Sequence, residues 1–208
     1  MPKNCSYKFP EGALARPDYQ PGNYLLPDDL ETGQQYLQQS MRRHNRLLHG
    51  AGVVCGMSVT AANDPAHPWG VYVCPGYAIG PYGDEIEMVS RELLDISDFL
   101  WMNFTAQGLP GVAFVAISYT EELIKPVAAP TLNCQCTKTS YIPSRIMDSH
   151  KLSVSWAGLD ERPFPFSICN RELVRCAPCP PSPYLLIARI SLPASVGSSI
   201  VAANIVNL

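Results

Sequence analysis

The sequence has little charge and no long apolar run. Of its 208 residues, 16% are charged and 47% are hydrophobic, and the formal net charge at pH 7 is -3. This composition excludes a solvated disordered protein and a basic nucleic-acid-binding surface. No run reaches about 18 apolar residues, so we expect no membrane insertion. The first residues also lack the apolar segment of a signal peptide, so we expect no secretion by that route.

The usual signatures of catalysis are missing as well. The chain contains no G-x-S-x-G turn, no phosphate-binding loop and no dinucleotide fingerprint. His44 and His49 lie five residues apart, not the four that place two zinc ligands on one helix face. Glu85 and Glu87 alternate with apolar residues, which predicts the solvated side of a strand instead of a pair of catalytic acids. We therefore expect a protein that is not an enzyme.

Residues 24–59 carry the strongest local signals. Pro27 and the acidic residues after it favour the start of a helix, and Gly50 favours its end, so we predict a helix over 28–48. Apolar residues at intervals of seven, four and seven predict one buried face of this helix: Leu30, Leu37, Met41 and Leu48. A strand from Val53 to Val59 should follow. Gly56 within it indicates a bulge or the close approach of another backbone.

The later sequence predicts mostly strands. Residues 71–89 favour a hairpin-like unit, 93–100 a short helix, and the apolar run 112–119 a strand covered on both faces. Residues 184–192 form the last clear strand pattern. We expect an α+β fold, with one N-terminal amphipathic helix packed on a mainly antiparallel sheet or barrel and an irregular proline- and cysteine-rich second half. The predicted parts are an extended N-terminal arm, a helix plus β core, and an irregular lobe that returns to the sheet: 1–23, 24–124 and 125–208.

Five of the eight cysteines lie after residue 133. A C-x-C pair and a C-x-x-C pair could together supply four thiolates to one structural zinc: Cys134, Cys136, Cys176 and Cys179. Disulfides between these cysteines and plain buried thiols are the alternatives. Cys55 and Cys74 lie in predicted strands among apolar residues and are most simply small core residues, although facing strands could also bring them within disulfide distance.

Two sequence blocks carry a recognisable pattern. The first is R..NRLLHG.GVV.G, which begins at Arg42, and the second is V.V.PGYAI...G.EI, which runs from Val71 to Ile86. They resemble a family of uncharacterised structural proteins encoded beside the baseplate and fibre genes of contractile phage tails and related injection systems. The pattern singles out seven residues as a structural motif: Arg42, Asn45, Arg46, His49, Gly50, Gly52 and Gly76.

The resemblance implies a structural subunit of a contractile phage tail, in the baseplate or between baseplate and fibre. Such a subunit acts by multivalent contacts with other tail, baseplate or fibre proteins in a large symmetric assembly. It would be made in the host cytoplasm and reside in the virion.

Four apolar residues near the C-terminus and one cysteine of the N-terminal arm are the candidate partner contacts: Cys5, Ile200, Val201, Ile205 and Val206. The segment 198–208 is either a last strand of this domain or a strand lent to a partner.

Two other functions remain open from the sequence. A virion-associated metal-dependent hydrolase would use the thiolate site, although four thiolates usually form a closed structural site. A glycan-binding fibre module would instead need exposed aromatic residues on one surface, for which the tryptophans are candidates: Trp69, Trp101 and Trp156.

Overall fold

The computed structural model of the protein describes residues 14–102, 111–128, 141–155, 180–192 and 198–208. Its helices are α1 (Pro27–His44), which continues as a π-helical turn (Asn45–His49), α2 (Ser97–Met102) and a 3₁₀ turn (Ala202–Asn204). The first six strands are β1 (Gly52–Gly56), β2 (Val59–Ala61), β3 (Gly70–Val73), β4 (Gly76–Ile79), β5 (Glu85–Met88) and β6 (Glu92–Asp95). The last four strands are β7 (Val112–Ala128), β8 (Tyr141–Ser155), β9 (Leu185–Ser191) and β10 (Ile205–Asn207).

The described strands form three antiparallel sheets. Their strand orders are β1-β4-β5, β2-β3-β6 and β10-β9-β7-β8. Within the described ranges these sheets do not close into a barrel. The prediction of an α+β fold with one N-terminal helix and mainly antiparallel sheets is confirmed at that level, and the barrel alternative is not.

α1 begins and ends close to the predicted positions. The side-chain carboxylate of Asp29 accepts a hydrogen bond from the backbone N–H of Leu26 at 2.9 Å, which satisfies an otherwise open donor at the helix start. Pro27 occupies the first turn, where its missing N–H is not needed. The helical path ends at Gly50, whose φ of 76° suits glycine.

The three sheets share one hydrophobic core. Fully buried side chains come from β3, β5, β7 and β9, among them Val71, Ile86, Val115 and Ile187. In β5 the glutamates face solvent while the apolar residues between them are buried, as the alternation predicts. Residues 113–118 of β7 are all buried, which confirms a strand covered on both faces. In the described ranges, no helix has both the length and the apolar character needed to cross a bilayer.

The chain turns a corner where the sequence predicts one strand from Val53 to Val59. Gly56 and Met57 both have positive φ, 66° and 52°, so β1 stops and β2 starts in another sheet. A side chain at Gly56 would overlap the carbonyl oxygen of Pro75. The predicted close approach of another backbone at Gly56 is confirmed, and the continuous strand is wrong.

Three other elements have boundaries that differ from those predicted from the sequence. The hairpin predicted over 71–89 is formed by β4 and β5, because β3 pairs with β2 and β6 instead. The short helix predicted over 93–100 begins only at Ser97, since the preceding residues belong to β6. β7 ends within the part 125–208 that the sequence predicts to be irregular, and β8 lies entirely within it.

The C-terminal segment returns to this chain's own sheet. β10 pairs antiparallel with β9, so residues 205–207 form a last strand of this domain. Ile200 is 1% exposed and its N–H donates to the carbonyl of Pro68 at 2.9 Å, so it lies in the core and is closed to a partner. Val201 and Val206 are half-exposed at the surface.

Asn207 ties two sheets together. Its Oδ1 accepts a hydrogen bond from the backbone N–H of Val59 at 2.6 Å, and its Nδ2 donates to the carbonyl of Val59 at 3.4 Å. The side-chain amide of Asn207 therefore makes the two hydrogen bonds to the backbone of Val59 that a residue of a neighbouring strand would make.

Asn207→Ala should lower the free energy of unfolding by about 1 to 2 kcal/mol, because it leaves both backbone groups of Val59 without these partners in a half-buried setting. The matched control is Asn204→Ala, which removes a local, exposed bond from the N–H of Val201 at 3.0 Å. Urea unfolding of both variants measures the difference. Equal effects of the two substitutions would contradict the role of Asn207 between the sheets.

Candidate interaction surfaces

The C-terminal end of α1 is fixed to the β4–β5 hairpin. Asn45 is the buried residue of the π-helical turn. Its Nδ2 donates to the carbonyl of Gly83 at 3.1 Å and lies 3.3 Å from Oε1 of Glu85. Arg42, one turn earlier, forms an ion pair with the carboxylate of Asp84. The tip of the hairpin therefore holds the end of the helix.

The ion pair between Arg42 and Asp84 is largely removed from solvent, and this burial changes the pKa of Asp84. Burial raises the pKa of Asp84 above its ordinary value, while the charge and hydrogen bond of Arg42 act in the opposite direction. The same guanidinium lies over the ring of Tyr119, 5.4 Å from its centroid, and 4.0 Å from Oε1 of Glu121. One arginine thus joins the helix to both the β4–β5 hairpin and β7.

Tyr119 contacts Arg42 with its ring and Asp148 with its hydroxyl. Burial raises the pKa of its hydroxyl, and the adjoining carboxylate of Asp148, to which the hydroxyl donates a hydrogen bond at 2.5 Å, raises it further. The phenol therefore stays neutral and presents its ring face to Arg42. No sequence pattern indicates Asp84 or Tyr119 as partners of the helix, since both contacts depend on how distant segments pack.

The predicted structural motif lies at this junction and at the corner after it. Arg42 and Asn45 contact the β4–β5 hairpin as described, and Gly50 ends the helix.

The other motif residues differ in how far packing requires them. At Gly76 an added side chain would overlap the backbone of Met57. Gly52 meets no atom within 4 Å of an added Cβ, so packing does not require glycine there. The motif residues His49 and Arg46 are exposed and half-buried, respectively.

The predicted burial of the apolar helix face is wrong for the single chain. We call this face the α1 row, and its exposed fractions are 50%, 69%, 54% and 56% for Leu30, Leu37, Met41 and Leu48. No residue of α1 itself is buried. The helix touches the body with Gln38, Arg42 and Asn45, which lie about 90° around the helix from the row. The periodicity shows that the helix has one apolar face. It does not show whether that face packs inside this chain or against a partner.

A second exposed apolar surface lies on β7 and β8. β9 pairs with β7 only up to Ile117, whereas β8 continues to pair as far as Ala128. We call residues 120–128 and 141–149 the β-ribbon, because the described residues there form two strands without a third. The ribbon exposes six large apolar side chains by 44 to 68%: Leu123, Val127, Tyr141, Ile142, Ile146 and Met147.

Four of these side chains form two cross-strand pairs. Leu123 pairs with Ile146, and Val127 pairs with Ile142. Alternation along β7 places Leu123 on the same side as Tyr119 and Glu121. Because Nε2 of Gln38 donates to Oε1 of Glu121 at 3.4 Å, this side of the ribbon begins beside α1.

The predicted zinc site lies outside the described residues, as does Cys5. Within the described ranges, no group of three or more histidine, cysteine or acidic side chains could hold a metal. Cys55 and Cys74 are free thiols. Cys55 is exposed, so its assignment to the core is wrong; β1 is an edge strand whose last three residues face solvent. Cys74 is half-buried.

The structure describes the side chain of one of the three tryptophans. Trp69 is 5% exposed and belongs to the core, so it is closed to a glycan. The side chains of Trp101 and Trp156 lie outside what the structure describes. The glycan-binding alternative loses its first candidate residue.

Comparison with known proteins gives structural neighbours alone. No family model matches the chain, and no curated protein matches it. A chain of the TssK-TssF-TssG baseplate subcomplex of a type VI secretion system has a TM-score of 0.43 and 13% identity, over 94% of this chain and 60% of that one. A chain of a type VI secretion system baseplate complex has a TM-score of 0.42 and 10% identity, over 95% and 58%. This protein thus spans about three fifths of the length of either solved chain, and likeness at this level carries no argument about function.

Proposed function

We propose that the protein is a structural subunit of a contractile phage tail or related injection system, in the baseplate or between baseplate and fibre. It is not an enzyme in this proposal, and it acts by binding several neighbouring proteins. The observation that carries the proposal is the apolar surface that the single chain leaves in water along α1 and the β-ribbon. The family resemblance of the α1 exit and of residues 71–86 supports the choice of a tail assembly.

The physical argument starts from what the exposed residues would gain by burial. A leucine, isoleucine or methionine side chain contributes roughly 1.5 to 3 kcal/mol when it moves from water into an apolar contact. Ten large apolar side chains of the α1 row and the β-ribbon are 44 to 69% exposed. Apolar side chains grouped at the surface of a folded protein favour an interaction site. Both surfaces are therefore suited to contacts with other subunits.

The β-ribbon gives the clearest indication of an assembly role. Two-stranded ribbons are marginally stable in water unless a third strand or another surface covers them. This ribbon joins the body through Tyr119 and carries apolar cross-strand pairs away from it. A neighbouring subunit that covers the Leu123 and Ile146 pair would order the ribbon and add a second contact to the one at α1. Two weak contacts on one chain bind cooperatively when a single assembly engages both.

The test is capture of the tail proteins encoded with this chain by the tagged, full-length protein. Ile146→Lys places a charge on the exposed side of the ribbon and should weaken capture of at least one of them by about tenfold or more. Val89→Lys is the matched control, because Val89 is 82% exposed and lies off both surfaces. A stable protein that captures none of its tail proteins would refute the proposed function.

The structural zinc stays a prediction for residues outside the described ranges. The ligands would be the two cysteine pairs of the second half: Cys134, Cys136, Cys176 and Cys179. Such a site would stabilise the fold and perform no chemistry.

A further inference from the structure

The α1 row is an open stripe between two occupied sides of the helix. On one side, Gln38, Arg42 and Asn45 contact the body. On the other, an added Cβ at Gly33 would lie 3.3 Å from the hydroxyl of Tyr19, so the segment before the helix runs alongside it. The row between these sides is about 27 Å long for the 18 residues of α1. Its four apolar side chains are each at least 50% exposed.

The spacing within the row is that of a coiled-coil seam. With Leu30 and Leu37 at one seam position, Gln34 and Met41 fall at the other, since the intervals alternate between three or four residues and sum to seven. His44 continues the series one turn later. Each of these five side chains is exposed in the single chain.

The order of polarity along the row and the helix dipole favour an antiparallel partner. Read from either end, the six seam positions are apolar, polar, apolar, apolar, polar and apolar: Leu30, Gln34, Leu37, Met41, His44 and Leu48. An antiparallel copy therefore places apolar side chains on apolar ones and Gln34 on His44. It also aligns the two helix dipoles head to tail, whereas a parallel copy would place the two acidic first turns, with Asp28 and Asp29, beside each other.

We propose that the α1 row is covered by α1 of a second copy of this chain, in antiparallel orientation. Leu37 of each copy then packs against Met41 of the other at the centre of the seam, and Gln34 faces His44 in the adjacent layers. The row is self-complementary, as a two-fold interface requires. Each body holds only the C-terminal half of its own helix, so the two bodies lie at opposite ends of the pair.

This inference rests on the proposed function, because it names one partner within the assembly and leaves the β-ribbon for the others. The dimer and the proposed function can be refuted independently of each other. A monomer that captures tail proteins overturns the dimer alone. A dimer that captures none of them overturns the tail assignment and leaves the dimer intact.

The first experiment measures the mass of the full chain against concentration by sedimentation equilibrium under reducing conditions. We expect a reversible dimer, and Leu37→Lys should raise its Kd by about tenfold or more. Thr32→Lys is the control, since Thr32 is exposed on the opposite side of the same helix and its substitution should leave the Kd unchanged. Thermal unfolding monitored by circular dichroism confirms that both variants fold. A wild-type chain that stays monomeric up to about 100 µM would overturn the inference.

The second experiment tests the register. Leu37→Lys and Met41→Glu should each weaken self-association, but an equimolar mixture of the two variants should form a mixed dimer. In the antiparallel register, the new lysine of one chain faces the new glutamate of the other, while the second central layer keeps its native leucine and methionine. A parallel pair would place each charge opposite an apolar residue. Absence of a mixed dimer would therefore overturn the antiparallel pairing.

Discussion

Gly83→Ala should lower the free energy of unfolding by at least about 3 kcal/mol and loosen the end of α1. Gly83 has a φ of 87°, a conformation that L residues rarely adopt, and an added Cβ would overlap the carbonyl group of Arg42. The hairpin tip would then have to move away from the helix. That movement would break the hydrogen bond from Asn45 to the carbonyl of Gly83.

Two measurements separate this effect from backbone strain alone. Gly22→Ala is the matched control, because Gly22 has a φ of 90° but no atom within 4 Å of an added Cβ, so it should lose only about 1 to 2 kcal/mol. Hydrogen exchange should quicken at the amides of residues 45–50 in the Gly83 variant and stay unchanged in the Gly22 variant. Equal losses of stability in the two variants would show that the hairpin tip does not hold the helix.

Arg42→Ala should lower the free energy of unfolding by about 2 to 3 kcal/mol at neutral pH, because it leaves the carboxylate of Asp84 charged and buried without its partner. The matched control is Arg91→Ala. Arg91 also lies over an aromatic ring, with its guanidinium carbon 4.0 Å from the centroid of Tyr72, but among the described residues it forms no ion pair with a buried carboxylate. The control should lose about 1 kcal/mol or less. Chemical denaturation of both variants measures the difference.

The loss in the Arg42 variant should depend on pH. The pKa of Asp84 is raised in the folded protein, so the folded state holds this proton more tightly than the unfolded state, and stability falls as pH rises above about 4 through the raised value. Removal of Arg42 takes away the influence that lowers this pKa, so the fall becomes larger and extends to higher pH. The difference between wild type and variant should therefore be largest near pH 7 and shrink toward pH 4. A difference that stays constant with pH would contradict the role of Asp84.

Much of the local structure follows from neighbouring residues in the sequence. The start and end of α1 are determined by Asp29 and Gly50, and the buried centre of β7 by an apolar run without polar interruption. The solvated glutamates of β5 follow from simple alternation. Gly56 indicated a close backbone contact, although not that the chain changes sheets at that point.

The interaction surfaces could not be predicted in the same way. An amphipathic period shows that α1 has one apolar face. A face that packs inside its own chain and a face that binds a partner have the same period, so the sequence does not distinguish them. The β-ribbon mixes glutamate, lysine and proline with isolated apolar residues, so its exposed cross-strand pairs depend on the register of β8. Asp84 and Tyr119 meet Arg42 only because the β4–β5 hairpin and β7 converge there.

Placement of the protein in assembled tail particles tests the central claim most directly. Under the proposed function, we expect contractile-tail genes beside the gene for this chain. The tagged chain would be expressed with those genes, and the particles would be separated by density-gradient sedimentation. We predict that the chain sediments with the particles at a fixed molar ratio to the baseplate proteins, measured by quantitative mass spectrometry, and that Ile146→Lys reduces this ratio while Val89→Lys does not. A chain that remains at the top of the gradient while complete particles form without it would contradict the account.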